Sequence, residues 1–251
     1  MLLAVDIGNS NITFGLFTKE KLISQYRLIS EVKKSAESYS IDIVEFLVND
    51  NVDCFAIKNV VLALVVPNLT PIIKQALQKF YLGKIVVVGE DLPVNISIKL
   101  ENKKEVGIDR LVNSFCAHKK FGGDLIIIDF GTATTFDVVG SDGEYLGGVI
   151  APGVNLSIKA LHEMTAKLPM IKLEKQKNVI GKSTKQAMNS GIYFGYISLI
   201  EGLIARIKRE YGKEMKVIMT GGLSVLFLDV IKEVDFVEPN LTLDGLLQIS
   251  S

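Results

Sequence analysis

Two stretches decide the fold: LLAVDIGNSNITFGLF, residues 2–17, and LIIIDFGTATTFDVVG, residues 125–140. Each opens with a short apolar run that reads as a buried strand. Each then reaches Asp-x-Gly, passes through small hydroxyl or amide residues, and returns to strand-forming residues. The two carboxylates, Asp6 and Asp129, lie 123 positions apart, near the starts of the two halves of the 251-residue chain. One Asp-x-Gly alone would read as a turn between buried strands. Two matched copies, with hydroxyls on the same side of the glycine, read as a repeated strand–acidic turn–strand unit and hence as two related lobes.

The residue types point to a ligand. A nucleotide polyphosphate needs backbone N–H donors, and Gly8 and Gly131 let the backbone approach closely. Ser10, Asn11, Thr13, Thr132, Thr134 and Thr135 can add hydroxyl or amide hydrogen bonds. An Asp at a strand end can hold Mg²⁺, usually through water, because Mg²⁺ dehydrates reluctantly.

The rest of the chain repeats the pattern. NITFGLF and LISQYRL predict a hairpin turning at Thr18–Lys21. A helix follows at 38–49, with Ile41, Val44, Phe46, Leu47 and Val48 on a broad apolar side. NVVLALVV, bounded by Pro67, predicts a buried parallel strand, then a helix at 70–81 and a strand at KIVVVG. In the second half, LIIID, TTFDVVG and YLGGVIAPG predict a meander with an SDGE turn. Helices are expected at 153–164 and 184–211, with KVIMTGG as a late strand. Two meander-plus-helix units, each opened by Asp-x-Gly, predict an α/β protein with a duplicated ribonuclease-H-like, actin-like fold. Each lobe is expected to carry a mixed sheet flanked by helices. Gly122-Gly123 ends a helix, which places the lobe boundary near Lys119–Asp124 and gives lobes of 1–121 and 122–251.

Composition narrows the function. Lys+Arg and Asp+Glu balance at 28 each, so no global field favours nucleic acid or anionic lipid. Cys54 and Cys116 form no Cys-x-x-Cys and read as buried thiols of a reducing compartment. Met1–Asp6 belongs to the first strand rather than to a signal peptide, and no apolar run reaches membrane-spanning length. A cytoplasmic protein is expected.

GIDR, Gly107 to Arg110, precedes an amphipathic helix with Leu111, Val112, Phe115 and Cys116. Asp109 then sits near a helix N-terminus, either as a cap or as a carboxylate facing substrate. In the second role it can orient an alcohol and accept its proton as an O–P bond forms. Arg110 can bind an anionic group. GKST at 181–184 is not a phosphate loop, because position 176 is Gln where the pattern needs Gly. Thr184 reads instead as the cap of a long helix. That helix carries Gly191 and Gly195, which suit close helix packing within the chain or, more sharply, a dimer seam. APG at 151–153 and TGG at 220–222 read as turns or as cleft lining. His118 and His162 show no metal-ligand spacing.

Taken together, DIGNSN, EVGIDR, DFGTATT, GGVIAPG, GKST, TGG and LTLDGL resemble type III pantothenate kinase, a branch of the acetate kinase, sugar kinase, heat-shock and actin superfamily. The resemblance covers essentially the whole chain. It implies transfer of the ATP γ-phosphate to pantothenate, at the first committed step to coenzyme A. It also implies Mg²⁺, a monovalent cation (K⁺ or NH₄⁺), and a homodimer with a composite active site. By match, Asp6, Ile7, Gly8, Asn9, Ser10, Asn11, Ile12 and Thr13 form the first phosphate motif, with Asp6 toward Mg²⁺ through water. Thr132 contacts ATP and Asp129 holds the monovalent cation. Leu100, Gly107, Ile108, Asp109 and Arg110 belong to the pantothenate site, with Asp109 as the base. Thr184 contacts substrate across the dimer. Four positions depart from the family pattern. Leu100 stands where the family has Tyr, in a stretch where Lys103 replaces Pro, Ile108 replaces Ala, and Ser10 stands where Thr is common. The alternatives are a superfamily kinase with another acceptor, or a catalytically weak or silent accessory homologue. The retained Asp6, Asp109 and Asp129 weigh against silence.

Overall fold

β1 (Leu2–Ile7) is buried on both faces, and its alternation sorts the core around it. Leu3, Val5 and Ile7 enter one apolar cluster, and Leu2 and Ala4 enter another. The computed structural model describes residues 1–251. Packing divides the chain into two units. Unit 1 comprises Met1–Ile96, Glu101–Cys116 and Leu241–Ser251, and unit 2 comprises Ser97–Leu100 and Ala117–Asn240.

In unit 1, β2 (Asn11–Thr18) and β3 (Lys21–Ile29) form the meander with β1. β4 (Asn59–Leu64) and β5 (Ile85–Val87) extend the sheet in parallel, giving the order β3-β2-β1-β4-β5. α1 (Ala36–Asn49) and α2 (Thr70–Gln78) cover one face through Ile43, Leu47, Ile73 and Leu77. The other face receives Val112 of α3 (Ile108–Phe121) and Leu243, Leu246 and Leu247 of α7 (Leu241–Ser250). Gly245 lets α7 close on α3: a Cβ there would lie 2.6 Å from Val112 Cγ1.

In unit 2, β6 (Leu125–Phe130), β7 (Ala133–Val139) and β8 (Tyr145–Pro152) form the second meander. β9 (Lys216–Thr220) and β10 (Phe236–Val237) complete the order β10-β9-β6-β7-β8. α4 (Val154–Glu163), α5 (Thr184–Tyr211) and the short α6 (Ser224–Phe227) pack on Ile126, Ile128 and Phe136. The two sheets share one plan: an antiparallel meander, then parallel strands on the far side of the first strand. Gly122 and Gly123, both at positive φ (59° and 77°), end α3 as expected.

Four readings change. α1 buries Tyr39, Ile43, Phe46 and Leu47, whereas Ile41 and Val48 are exposed. The helix has apolar residues on most of its circumference, so periodicity alone could not choose its inner side. The cap of α5 is Ser183, whose Oγ accepts the Gln186 N–H at 3.2 Å, and Thr184 is the first helical residue. Nothing within the chain approaches the Cβ positions of Gly191 and Gly195, so close packing inside the chain does not explain them. Cys116 is buried but Cys54 only half so.

Candidate active site

Strand alternation places Asp6 on the sheet face of Leu2 and Ala4, the face that receives α3 and α7. Asp6 is half-buried and lies opposite Thr13 of β2. The turn beyond it is tight, with the Gly8 N–H donating to the Asn11 carbonyl at 3.0 Å. Asn9, Ser10 and Asn11 are exposed there. Ile7 and Ile12 are fully buried core residues, so a phosphate can meet only their backbone.

The same face of unit 1 carries the GIDR segment. Asp109 is the second residue of α3, in a first turn whose dipole favours a carboxylate. Its Oδ1 is shielded from solvent and has no hydrogen-bond partner, a rare state for a buried oxygen. Burial pushes the carboxyl above the usual Asp range. The Arg110 backbone N–H, the Arg110 guanidinium and the Asp109 N–H oppose that shift. Gly107 makes this rotamer possible, since a side chain there would run into Oδ1. Ile108 turns toward the core: a Cβ at Gly89 would lie 2.9 Å from its Cδ1. The extra bulk at position 108 is thus absorbed by packing.

Unit 2 holds the other residues. Asp129 lies opposite Thr135 as Asp6 lies opposite Thr13, and the Gly131 N–H donates to the Ala133 carbonyl at 3.0 Å. Thr132 is exposed, and its carbonyl accepts the Gly153 N–H at 3.1 Å. Gly221, at φ +88°, brings its backbone so close that a Cβ would lie 2.6 Å from Asp129 Oδ1. Leu100 ends a strap, Ser97–Leu100, that Tyr145 holds through its N–H to Ser97 O (2.7 Å) and its carbonyl from Lys99 N–H (2.9 Å). Tyr145 in turn donates its hydroxyl to the buried Asp137 at 2.8 Å. Thr184 is exposed at the start of α5. His118 and His162 each bond a backbone carbonyl, of Ser141 and Leu168.

The structure therefore gathers Asp6, the Gly8–Asn11 turn and Asp109 on one side of one sheet. Asp129 and Thr132 occupy the matching turn of the other sheet. Sequence reasoning missed Ser30 beside the first turn. It marked Gly153 and Gly221 only as turn or lining residues, with no sign that they press against the second turn. The donor chemistry suits the ions that the family implies. No three His, Cys, Asp or Glu side chains converge to hold a metal. A divalent ion at Asp6 would bring most of its shell as water and phosphate, as Mg²⁺ does. Asp129 offers carboxylate oxygens, the ligand type that a hard monovalent cation takes, while the Gly221 carbonyl beside it is taken by the N–H and Oγ of Ser224.

Two sheets of this plan, each opened by an Asp-x-Gly turn, define the actin-like, duplicated ribonuclease-H-like fold class. Solved structures share the fold. A protein from Campylobacter jejuni described as a Baf family transcriptional activator matches with a TM-score of 0.62 at 20% identity, covering 98% of this chain and 96% of its own. A 2-dehydro-3-deoxygalactonokinase homologue from Sinorhizobium meliloti matches with a TM-score of 0.61 at 11% identity, covering 100% and 96%. The family model for type III pantothenate kinase matches residues 2–206, and the chain belongs to that family. The type III pantothenate kinase of Paramagnetospirillum magneticum is 43% identical over 99% of this chain and 96% of its own. That of Moorella thermoacetica is 40% identical over 98% and 97%.

Proposed function

We propose that this chain transfers the γ-phosphoryl group of ATP to the terminal hydroxyl of pantothenate, forming 4′-phosphopantothenate and ADP. The observation that carries the mechanism is Asp109, a half-buried carboxylate with one shielded, unpartnered oxygen and a raised pKa. That oxygen accepts the hydroxyl proton as the new O–P bond forms and the bond to the ADP oxygen breaks. Arg110, beside it, binds the anionic end of the acceptor. The Gly8–Asn11 turn and Thr132 supply donors to the nucleotide. Asp6 would orient a hydrated Mg²⁺, and the Asp129 carboxylate would hold K⁺ or NH₄⁺. When bound, these cations neutralise charge on the phosphates. Within unit 1 the Ile108 backbone belongs to the pantothenate side.

The active form is a homodimer in which Thr184 serves the partner's site. Thr184, Ala187, Gly191, Gly195, Ser198 and Gly202 fall on one side of α5 by helical spacing. Each interior glycine costs about 1 kcal/mol of helix stability relative to alanine, a cost that a close helix contact would offset. No helix of the protein is long and apolar enough to cross a membrane, and a coenzyme A enzyme of this kind works in the cytoplasm.

The test is turnover. ATP consumption should require pantothenate, Mg²⁺ and a monovalent cation; ATP consumption indifferent to pantothenate would remove the reading. Asp109→Asn should lower kcat by about 10²–10⁴-fold, the range of a lost general base, while ATP still binds. Because burial favours the neutral acid, the wild-type acid limb should lie above the ~3.9 of a free Asp. An unshifted limb, or an active Asn variant, would remove Asp109 from the role. Mixing Asp109→Asn with Thr184→Val chains should restore part of the activity through hybrid dimers. A mixture that stays at the level of its parents would rule out the composite site.

A further inference from the structure

An anion-binding turn has to dispose of its carbonyl oxygens, because each one facing a phosphate repels it while each N–H attracts it. In the Gly8–Asn11 turn, the Asn11 carbonyl accepts the Gly8 N–H at 3.0 Å. The Gly8 and Ser10 carbonyls both go to one residue outside the turn, Ser30, just beyond β3. Ser30 Oγ donates to Gly8 O at 2.6 Å, and the Ser30 N–H donates to Ser10 O at 3.0 Å. In a trans peptide the C=O and the following N–H point in opposite directions. Holding the Gly8 and Ser10 carbonyls toward Ser30 therefore turns the Asn9 and Asn11 N–H groups away from it.

Ser30 is itself held from behind. Tyr39 of α1 is fully buried, and its hydroxyl accepts the Glu31 N–H at 2.8 Å. The same hydroxyl donates toward the Ile29 and Glu31 carbonyls, at 3.2 Å each. The residues on both sides of Ser30 are thus fixed to a helix that packs on the opposite sheet face from Asp6.

We propose that Ser30 is a positioning residue for nucleotide binding: it sets the peptide planes of the Gly8–Asn11 turn so that its amides meet the ATP phosphates. The inference rests on reading that turn as the phosphate site. Ser30 touches no reacting atom, so its effect should appear in ATP affinity rather than in acceptor affinity.

The experiment compares wild type, Ser30→Ala, Ser30→Thr, Tyr39→Phe and Asp6→Asn by steady-state kinetics in both substrates and by direct ATP titration. Ser30→Ala should raise KM and Kd for ATP about tenfold, the scale of one well-placed hydrogen bond, with KM for pantothenate unchanged. Ser30→Thr keeps the hydroxyl and should stay within about twofold of wild type. Tyr39→Phe should shift ATP affinity in the same direction by less. Unchanged ATP constants in Ser30→Ala, equal shifts in both substrates, or no rescue by Thr would overturn the role. Asp6→Asn separates the two levels. If it weakens ATP binding while Ser30→Ala does not, the turn reading survives and Ser30 is only structural. If neither affects ATP, the phosphate-turn reading falls and takes this inference with it.

Discussion

The two Asp-x-Gly turns are copies in register but not in construction. Asp6 faces Thr13 and Asp129 faces Thr135 across equivalent antiparallel pairs, and each turn is closed by its glycine N–H. The first turn is braced by a side-chain hydroxyl, Ser30, reaching across from its own sheet. Backbone presses directly on the second. A Cβ on Gly153 would sit 2.1 Å from the Thr132 carbonyl oxygen, and one on Gly221 would sit 2.7 Å from the Phe130 nitrogen. A hydroxyl brace can be adjusted by one substitution at modest cost. A backbone brace leaves no room for any side chain, so the second turn is held rigidly and the first is tunable. The strand plan is the same in both units, while the support of each turn differs.

The sharpest way to break this comparison is to neutralise the two carboxylates in parallel. Asp6→Asn should cut kcat/KM for MgATP by about 10²–10³-fold, as removal of a preorganised electrostatic group does. Asp129→Asn should cost less, about tenfold, the worth of one charged contact, and should flatten the response to K⁺ and NH₄⁺. Equal losses without a change in cation response would mean that the two turns do the same work.

The smaller effect concerns stability. Gly153→Ala pushes a methyl into backbone that cannot yield and should destabilise the fold by about 3 kcal/mol. Asn9→Ala, on the exposed first turn, should stay within about 0.5 kcal/mol. Thermal melts of the two variants measure the contrast, and a Gly153→Ala protein as stable as wild type would refute the rigid brace.

Much of this was legible in the sequence, for a local reason. Strand–turn–strand units have local sequence signatures, so the turns at DIGNSN and DFGTATT were legible from residue types at short spacing. The buried strands and the Gly122-Gly123 stop are equally local. What escaped notice depends on contacts distant in sequence. Ser30 follows an ordinary strand, and nothing near it signals that its hydroxyl returns to Gly8, 22 positions earlier. Thr184 looked like a cap because it begins a helix, yet Ser183 has the extended backbone and the bond to Gln186 that capping requires. Leu100 stands next to the GIDR segment in sequence but packs with unit 2, close to Gly147. A boundary drawn from chain order, 1–121 and 122–251, cannot express that α7 packs with β1.

That placement of α7 has a consequence for synthesis. On the ribosome the first strand emerges before unit 2, but a helix that covers Leu2 and Ala4 emerges after all of unit 2. Residues 117–240 can complete their own core while the unit 1 sheet still lacks the part of its cover that α7 supplies. Gly15, whose Cβ position lies 2.8 Å from Leu243 Cδ1, waits for its neighbour throughout. The order of translation thus makes unit 1, which holds Asp6 and Asp109, the last part of the molecule to mature. Unit 2 can bury its core without α7, whereas unit 1 cannot.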